Sequence, residues 1–518
     1  MATSVALIVA ALLAAGALVA PSGTGRAVAM LGALVVAPVL LIAHVYDTSA
    51  LEPLRTHPPL AAAVALAGIA VIGALAVVFD RRPTWFPVAA VAMLPFRVPI
   101  AIGGSTSNLL LPLYAVIAAG ALAYAVPRLR AARRNRAGAG ALAAVLAPST
   151  GGPAPEHPAG RLEKLLALSV VLYAVQSTYS SDDGHALENV VFFYVPFAIL
   201  FALLGRVRWT PALVTRCLTV LAALAVAFAG VGFVEYATKH VLLNPRVITS
   251  NQLESYFRVN SLFFDPNIYG RFLVILMLGL AGVVLWTRGR RPAVGATVVL
   301  AVLWAGLVLT FSQSSFVALL VGLAVLGGMR WSVRGAAIAA AALVTVAVGV
   351  AVLAPSLIHL DVGSSQSADS ATSGRYDLIK GGVELFTSAP VGGQGSGAFA
   401  KEYRRTQKAS DEGAASASHT IPVTVAAEQG LPGLLVYLAL LAAALARLFR
   451  GAAASVPRAV IAAAFLALLA HTFMYAAFLE DPLAWTLLGV GVALARDIPR
   501  PPGPGPQERS IARRAAAA

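Results

Sequence analysis

Runs of about 20 apolar residues recur along most of this 518-residue chain. Each run is long enough to cross a hydrocarbon core that is about 30 Å thick. Because lipid offers the backbone no hydrogen bonds, separate runs of this kind cross a bilayer as helices. Only 12% of the residues are charged, which is too few for the surface of a soluble protein of this length. The sequence therefore predicts an all-α fold, a polytopic integral membrane helical bundle.

The positions of the basic residues predict the topology. The apolar runs indicate about 13–15 transmembrane helices, with the least defined boundaries near Arg97 and Ser312. Arginine and lysine gather in the short segments between runs, for example at 128–136, 206–208 and 447–458. Counting the runs puts all these clusters on one side, which the positive-inside rule identifies as the cytoplasm. The net charge of +15 is thus explained by topology, and nucleic-acid binding is not expected.

The chain is predicted to divide into three parts. Residues 1–83 form N-terminal transmembrane helices, residues 84–496 the main membrane domain, and residues 497–518 a disordered cytoplasmic tail. Within the main domain, 137–160 is rich in Ala, Gly and Pro and is predicted to be a disordered cytoplasmic loop. Residues 355–422 are predicted to be one long extracytoplasmic loop that contains short helices.

The first candidate for chemistry lies on the predicted outer side. Asp265-Pro266-Asn267 has the pattern of a turn and cap that begin a helix. Arg258 precedes it, and a guanidinium group binds phosphate oxygens in a bidentate manner. An interfacial arginine that extends to lipid head groups would give the same pattern, so both interpretations stay open.

The long loop holds the second candidate. Apolar residues recur at helical spacing from Arg375 to Phe386, which indicates a short amphipathic helix on the membrane surface. Gly393, Gly395 and Gly397 follow, and glycines let the backbone approach a ligand closely, with amides free to contact an anion. A flexible surface turn is the alternative reading of these glycines.

The third candidate is the entrance to the run that begins at Val423. His419 precedes this run, and histidine accepts a proton near neutral pH, which suits a general base acting on a hydroxyl group. A solvated loop histidine is the alternative. Glu428 lies in an apolar context, where an ionisable group is costly and therefore a functional candidate.

These motifs, in this order, resemble the O-antigen ligase and polymerase superfamily, which are membrane glycosyltransferases that use polyprenyl-pyrophosphate-linked glycans. The resemblance covers about 84–496 and is strongest from Arg258 to Gly433. It includes the step Thr310-Phe311-Ser312-Gln313-Ser314, in which the family carries an arginine where this chain has Gln313. The substitution keeps hydrogen bonding but removes a charge.

The resemblance implies transfer of the glycan to an acceptor hydroxyl in one step. Arg258 and Arg375 would hold the pyrophosphate, and His419 would orient or deprotonate the acceptor. The expected substrate-binding residues are Asp265, Asn267, Gly393, Gly395, Gly397, Tyr403 and Glu428. The donor would be an undecaprenyl-type pyrophosphate-linked glycan, and the acceptor a glycan, lipid or protein. No cofactor and no metal are expected, since the outer side has no Asp-rich motif.

Two other classes of function stay open on the sequence alone. A transporter or flippase of envelope glycolipids would carry ionisable groups near the bilayer midplane. Glu235, Glu428 and His471 are the positions in its favour. A non-catalytic membrane scaffold would not need His419. In each case we expect a multi-pass protein of the cytoplasmic (inner) membrane, and the glycosyltransferase reading puts the active face on the extracytoplasmic side.

Overall fold

The computed structural model describes residues 2–46, 52–102, 105–138, 159–242, 257–332, 334–335, 375–407, 420–475 and 477–496. Most of these residues are helical. In chain order the helices are α1 (Ala2–Val19), α2 (Gly23–Val45), α3 (Glu52–Thr56), α4 (Pro58–Arg81), α5 (Trp85–Met93), α6 (Leu111–Gly138), α7 (Arg161–Gln176), α8 (Asp183–Leu204), α9 (Pro211–Thr238), α10 (Pro266–Trp286), α11 (Arg290–Val308), α12 (Gln313–Arg330), α13 (Arg375–Ser388), α14 (Phe399–Gln407), α15 (Ile421–Phe449), α16 (Val456–Thr472) and α17 (Pro482–Arg496).

Nine helices in the described part of the chain are long and apolar enough to cross a membrane, by length and composition. They are α2, α4, α6, α8, α9, α10, α11, α12 and α15. The apolar helices α1, α16 and α17 are shorter. The predicted all-α, polytopic membrane fold is therefore confirmed. Most of the apolar run 335–354, most of the loop 137–160 that was predicted to be disordered, and the tail 497–518 with the same prediction lie outside the described residues. The count of 13–15 spans stays a prediction.

One apolar run differs from a simple membrane helix. The run 84–102 forms only the nine-residue helix α5, and its remainder enters a hairpin of β1 (Val98–Ile102) and β2 (Ser105–Leu109). The strands pair antiparallel, with Val98 opposite Leu109. Pro95 and Pro99 have no backbone N–H, so a helix through them would lose two of its internal hydrogen bonds. The hydrophobicity of the run does not show that the helix ends within it.

A single hydrophobic core joins the bundle, from Leu7 in α1 to Ala493 in α17. The N-terminal helices α1 and α2 pack into this core, whereas α4 is almost entirely exposed on the surface of the bundle. Lipid tails are as apolar as the helices, so burial of apolar area does not by itself drive helices together in a membrane. Close packing of side chains therefore holds α1 and α2 against the core.

The helices have a basic end and an opposite end, which we call the site end. At the basic end, Arg496 of α17 donates to the Glu163 carboxylate of α7 at 3.0 Å and to the Gly205 carbonyl at 2.8 Å. At the site end, the Thr420 hydroxyl donates to the Phe473 carbonyl at 3.2 Å, which joins the start of α15 to the end of α16. The segments that carry the candidate residues meet at this second end.

Candidate functional site

A buried carboxylate in α9 organises the segment that carries Arg258. Glu235 is 1% exposed and accepts backbone N–H groups from Leu242 at 3.1 Å, Asn260 at 3.2 Å and Ser261 at 2.7 Å. Ser261 has a φ of 53°, a left-handed conformation that is uncommon outside glycine. The three hydrogen bonds hold the chain in this turn, and they fix the residues next to Arg258.

Arg258 itself is half-buried against the step between α11 and α12. Its Nε donates to the Thr310 carbonyl oxygen at 3.0 Å, and its Nη2 lies 3.5 Å from Asn267 Oδ1. The Ser312 hydroxyl donates to the same Asn267 oxygen at 2.8 Å. The structure thus brings together Arg258, Asn267 and the Thr310–Ser312 step.

The contact continues into a buried polar network. The Ser312 hydroxyl lies 3.2 Å from the Ser314 hydroxyl and 2.8 Å from the Ser315 hydroxyl. Both of those lie near Nε2 of His471, at 3.1 Å and 3.3 Å respectively. His471 is fully buried. We call the chain of contacts from Arg258 through Asn267 and the three serines to His471 the Arg258 network.

Gln313, the position where the family carries arginine, points away from this network. Ser312 is the N-cap of α12, with its side chain accepting from the Ser315 N–H, and Gln313 is the first helical residue. The Gln313 side chain is exposed, whereas Ser312 and Ser314 are buried. The missing charge therefore belongs to the surface of the site end, and it leaves the buried contacts unchanged.

Asp265 begins α10, as the sequence predicted. Its side chain accepts the Asn267 N–H at 2.6 Å, which is a capping contact. Tyr475 also hydrogen-bonds to Asp265, and burial raises the pKa of the Tyr475 phenol well above its usual value. Asp265 consequently positions Asn267 and ties α10 to the segment after α16.

The glycine-rich segment packs against α15. The Gly395 N–H donates to the Glu428 carbonyl at 2.9 Å, the Gly397 N–H to the Glu428 carboxylate at 2.9 Å, and the Phe399 N–H to that carboxylate at 3.2 Å. The Gly393 N–H donates to a carbonyl earlier in the same segment. The amides that an anion would use are engaged within the chain, and Glu428, which is buried, acts as their acceptor.

Close approach of two backbones explains why glycines occur here. Gly430 interrupts α15 with φ 63° and ψ −163°, a region that is open essentially to glycine alone. A Cβ at Gly430 would lie 2.5 Å from the Val391 carbonyl oxygen, and one at Gly393 would lie 2.2 Å from the Glu428 carbonyl oxygen. The substrate-binding role of Gly393, Gly395 and Gly397 stays a prediction, and their structural role is visible.

Tyr403 lies in a small core between the two loop helices. It is 7% exposed and packs with Leu378 and Leu385 of α13. Its ring stacks on that of Phe399, with centroids 5.8 Å apart and planes at 13°. Burial raises the pKa of Tyr403, and the nearby carboxylates of α13 raise it further. These contacts hold α14 against α13.

Two predicted catalytic residues are described in part or not at all. Arg375 is the first residue of α13, and its side chain lies outside the described part of the chain. His419 also lies outside it. Its neighbour Thr420 bonds to the Phe473 carbonyl, and Phe473 follows His471 by two residues. Thr420, which directly follows residue 419 in the chain, is therefore in contact with the end of α16.

The basic residues of α14 divide between the surface and a contact with the α7–α8 connection. Arg405 forms a 2.8 Å ion pair with Glu402 while its own side chain is 74% exposed, as expected for a solvated surface charge. The Lys401 ammonium group donates to the Ser181 carbonyl. Lys401 therefore fastens α14 to the connection before α8.

The segment at the centre of these contacts matches a known family. Residues 296–438 match the family model of the O-Antigen ligase. This match confirms the resemblance to the O-antigen ligase superfamily. The matched O-antigen ligase segment holds the Thr310–Ser314 step, α13, the glycine-rich segment and Glu428, whereas Arg258 and Asn267 lie before it. No curated protein matches the chain in a sequence comparison.

Two buried groups at the site end, Ser315 and Asp481, carried no pattern in the sequence analysis. Ser315 enters the Arg258 network through its hydroxyl, and Asp481 pairs with Arg271 at 2.6 Å. These residues come together from positions more than 150 apart in the chain. Arg271 is an arginine inside an apolar run, and this is the sequence signal that could have indicated its pairing with a buried carboxylate.

Proposed function

We propose that the protein transfers a glycan from a polyprenyl-pyrophosphate carrier to an acceptor hydroxyl on the extracytoplasmic face of the cytoplasmic membrane. The observation that carries the proposal is the contact of Arg258 with the matched O-antigen ligase segment, through Thr310 and Asn267. The family supplies the reaction class of a ligase or polymerase. The contact puts a guanidinium group at the end of the bundle opposite the basic connections.

The chemistry that we propose needs one bond to form and one to break. The acceptor oxygen attacks the anomeric carbon, and the bond from this carbon to the pyrophosphate oxygen breaks. The pyrophosphate leaves with additional negative charge, which Arg258 and Arg375 would stabilise. His419 would take the proton of the acceptor hydroxyl. Asn267 and Asp265 act through Arg258, as positioning residues.

The orientation in the membrane is part of the proposal. The basic connections and the described helices of the long loop, α13 and α14, lie at opposite ends of the bundle, which supports a cytoplasmic position for the former. The site end, with α13 and α14, would then face the outside, where lipid-linked glycans become available to surface acceptors.

The contacts of two buried carboxylates favour this function over a transporter. Glu235 accepts three backbone N–H groups, and Glu428 accepts two. Each carboxylate therefore has a structural task in shaping a loop at the site end. A group that binds and releases an ion in transport would have to give up such contacts in each cycle.

The test is complementation of a deletion strain with wild type, Arg258→Ala, Arg258→Lys and His419→Ala, with lipid-linked and surface-attached glycans separated by size. Arg288→Ala is the matched control, because Arg288 is exposed at the basic end. We expect the Arg258 and His419 variants to lose surface glycan while the control restores it. Rescue by His419→Ala to the wild-type level would overturn the catalytic proposal.

The same gels distinguish the two reactions of the superfamily. Long glycan that accumulates on the lipid carrier, with none on the surface, identifies a ligase. Single repeat units in place of long chains identify a polymerase. Purified wild-type protein in proteoliposomes, supplied with lipid-linked glycan and an acceptor, separates transfer from movement of lipid across the bilayer.

A further inference from the structure

An apolar cavity runs along the helices beneath the candidate site. It has a volume of about 340 Å³ and lies between α5, α9, α10, α16 and α17. On α10 its lining extends from Phe272 to Val283, which corresponds to about 16 Å along the helix axis. The volume falls within the range of about 300–1,000 Å³ that is usual for ligand sites. Its walls are almost entirely hydrocarbon.

A second, smaller cavity adjoins the first towards the site end, and we call this smaller cavity the neck. Leu94, Phe272 and Leu483 line both the large cavity and a smaller one of about 10 Å³. The smaller cavity is bounded by Arg97 and Asp481. A molecule that fits both spaces would have a long apolar body and a polar head at the arginine.

Among the residues that the structure describes, two guanidinium groups and one carboxylate line or adjoin the neck. Arg271 is 1% exposed and pairs with Asp481 at 2.6 Å, so this carboxylate already has a guanidinium partner. Among the described residues, the Nε of Arg271 is buried and has no hydrogen-bond partner. Arg97 is a second guanidinium near the same carboxylate. Burial lowers the pKa of Arg97, Asp481 raises it, and Arg271 lowers it again.

Two guanidinium groups beside one carboxylate leave a positive charge in a poorly solvated place. Such a charge is costly unless an anion or a network of acceptors compensates it. Pro95, Phe263 and the first turns of α10 enclose the neck, and Ile268 of α10 lines it. Ile268 is adjacent in the chain to Asn267, so a residue that lines the neck directly follows a member of the Arg258 network.

We propose that this cavity binds the isoprenoid tail of the donor lipid, with the phosphate nearest the tail at Arg97. The inference rests on the proposed function and adds to it the residues that hold the carrier. Arg97 and Arg271 compensate the charge of that phosphate, and Arg258 is left for the leaving group beyond it. The apolar cavity, the cationic neck and Arg258 follow one another in this order. The donor lipid has its tail, its first phosphate and its sugar-linked phosphate in the same order.

Binding to the intact protein in nanodiscs tests the proposal without turnover. The ligand is a long-chain polyprenyl pyrophosphate with no sugar, and geranyl pyrophosphate is its short-tail counterpart. The variants are Arg97→Gln, which removes the charge, and Ala464→Phe, which fills the cavity where Ala464 is 1% exposed. Val294→Phe, on the lipid-exposed face of α11, is the matched control for added apolar bulk.

We expect Arg97→Gln and Ala464→Phe to weaken binding of the long-chain ligand by about tenfold or more, and Val294→Phe to leave it unchanged. The short-tail ligand should bind weakly and be insensitive to Ala464→Phe. Unfolding of each variant is followed in parallel, and Arg97→Lys supplies a folded variant that keeps the charge.

Three results would overturn the inference, and they differ in whether the proposed function survives. Tight binding that neither Arg97→Gln nor Ala464→Phe weakens rejects the cavity while the proposed function survives. Equal displacement of the ligand by phosphatidylglycerol makes this a site for bulk anionic lipid. Absence of binding by wild-type protein that still transfers glycan from another carrier class rejects the donor assignment itself.

Discussion

The Glu428 carboxylate accepts the backbone N–H of Gly397 at 2.9 Å, across 31 positions of the chain. With the similar contact from Phe399, it fastens the glycine-rich segment and α14 to α15. A buried carboxylate that receives two amide donors in this way acts as a fixed acceptor, and it determines the shape of the site end.

Replacement of Glu428 by alanine should therefore loosen this segment. Two buried N–H groups would lose their acceptor, and each unsatisfied group costs about 1–3 kcal/mol. We expect a lower unfolding temperature in detergent and loss of surface glycan in the complementation assay. Glu384→Ala, an exposed carboxylate of α13, is the control. A Glu428→Ala protein as stable as the control would contradict the role assigned to the carboxylate.

The backbone at Gly430 makes a second prediction. Alanine there must adopt a conformation that costs about 1–3 kcal/mol for any residue with a Cβ, and it also meets the Val391 carbonyl. Gly430→Ala should lower the unfolding temperature by several degrees. Gly230→Ala is the matched control, because a Cβ there meets nothing within 4 Å and alanine favours the helix. Similar unfolding temperatures for the two variants would mean that the kink at Gly430 is not required.

The sequence predicted the parts of this fold that depend on local pattern. Apolar runs gave the membrane helices, and Asp265-Pro266-Asn267 gave a helix start with a capping side chain. The ordered motifs placed Arg258 and the Thr310–Ser312 step on the same predicted side of the membrane, and the contact between them is a finding of the structure. The apolar run 84–102, whose boundary near Arg97 the sequence left poorly defined, is helical only to Met93, because prolines lack the N–H groups that a continued helix needs and hydrophobicity does not reveal this.

What the sequence left open depends on long-range contact. Nothing local distinguishes Glu235, which holds a loop, from an ion-transporting carboxylate, since both lie in apolar runs. The same holds for Asp481, whose partner Arg271 is 210 positions away. A pairing of this kind is a property of packing, and one sequence with no alignment carries no record of it.

Glu235 provides a third prediction, which concerns dynamics. Its carboxylate protects the amides of Asn260 and Ser261, so Glu235→Ala should accelerate hydrogen exchange at these two positions. Glycan transfer should fall with it, because Arg258 would lose its fixed orientation. Hydrogen-exchange mass spectrometry on peptides that cover 257–264 measures the effect, and a peptide from the middle of α10 is the internal reference. Unchanged exchange at 260–261 would separate Glu235 from the positioning of Arg258.

The step between α11 and α12 gives a fourth prediction, from neighbouring residues with opposite expectations. Ser312 is buried and donates to Asn267, whereas the Gln313 side chain is exposed. Ser312→Ala should reduce glycan transfer, since Asn267 loses a donor and the cap of α12 is removed, at about 1 kcal/mol of stability. Gln313→Arg, which restores the family residue, should retain transfer and stability. A reversed order of the two variants would show that the exposed position, and not the buried network, governs the step.

The buried pair of Arg271 and Asp481 gives the last prediction. Asp481 lies near Arg97 as well as Arg271, so Asp481→Leu leaves two guanidinium groups without this carboxylate, whereas the double variant leaves one. An uncompensated buried charge typically costs about 3–5 kcal/mol. Asp481→Leu should therefore lower the unfolding temperature in detergent more than the double variant does, and Arg271→Met, which leaves Arg97 beside the carboxylate, should lower it less than Asp481→Leu. Strict addition of the two effects would mean that the groups do not interact energetically. The double variant also removes one guanidinium and Asp481, which is the carboxylate that bounds the neck among the described residues, so Arg97 remains as its cation. If Arg97 binds the lipid phosphate, a long-chain polyprenyl pyrophosphate should stabilise this double variant against heat, and the same ligand should not stabilise a variant that also carries Arg97→Gln.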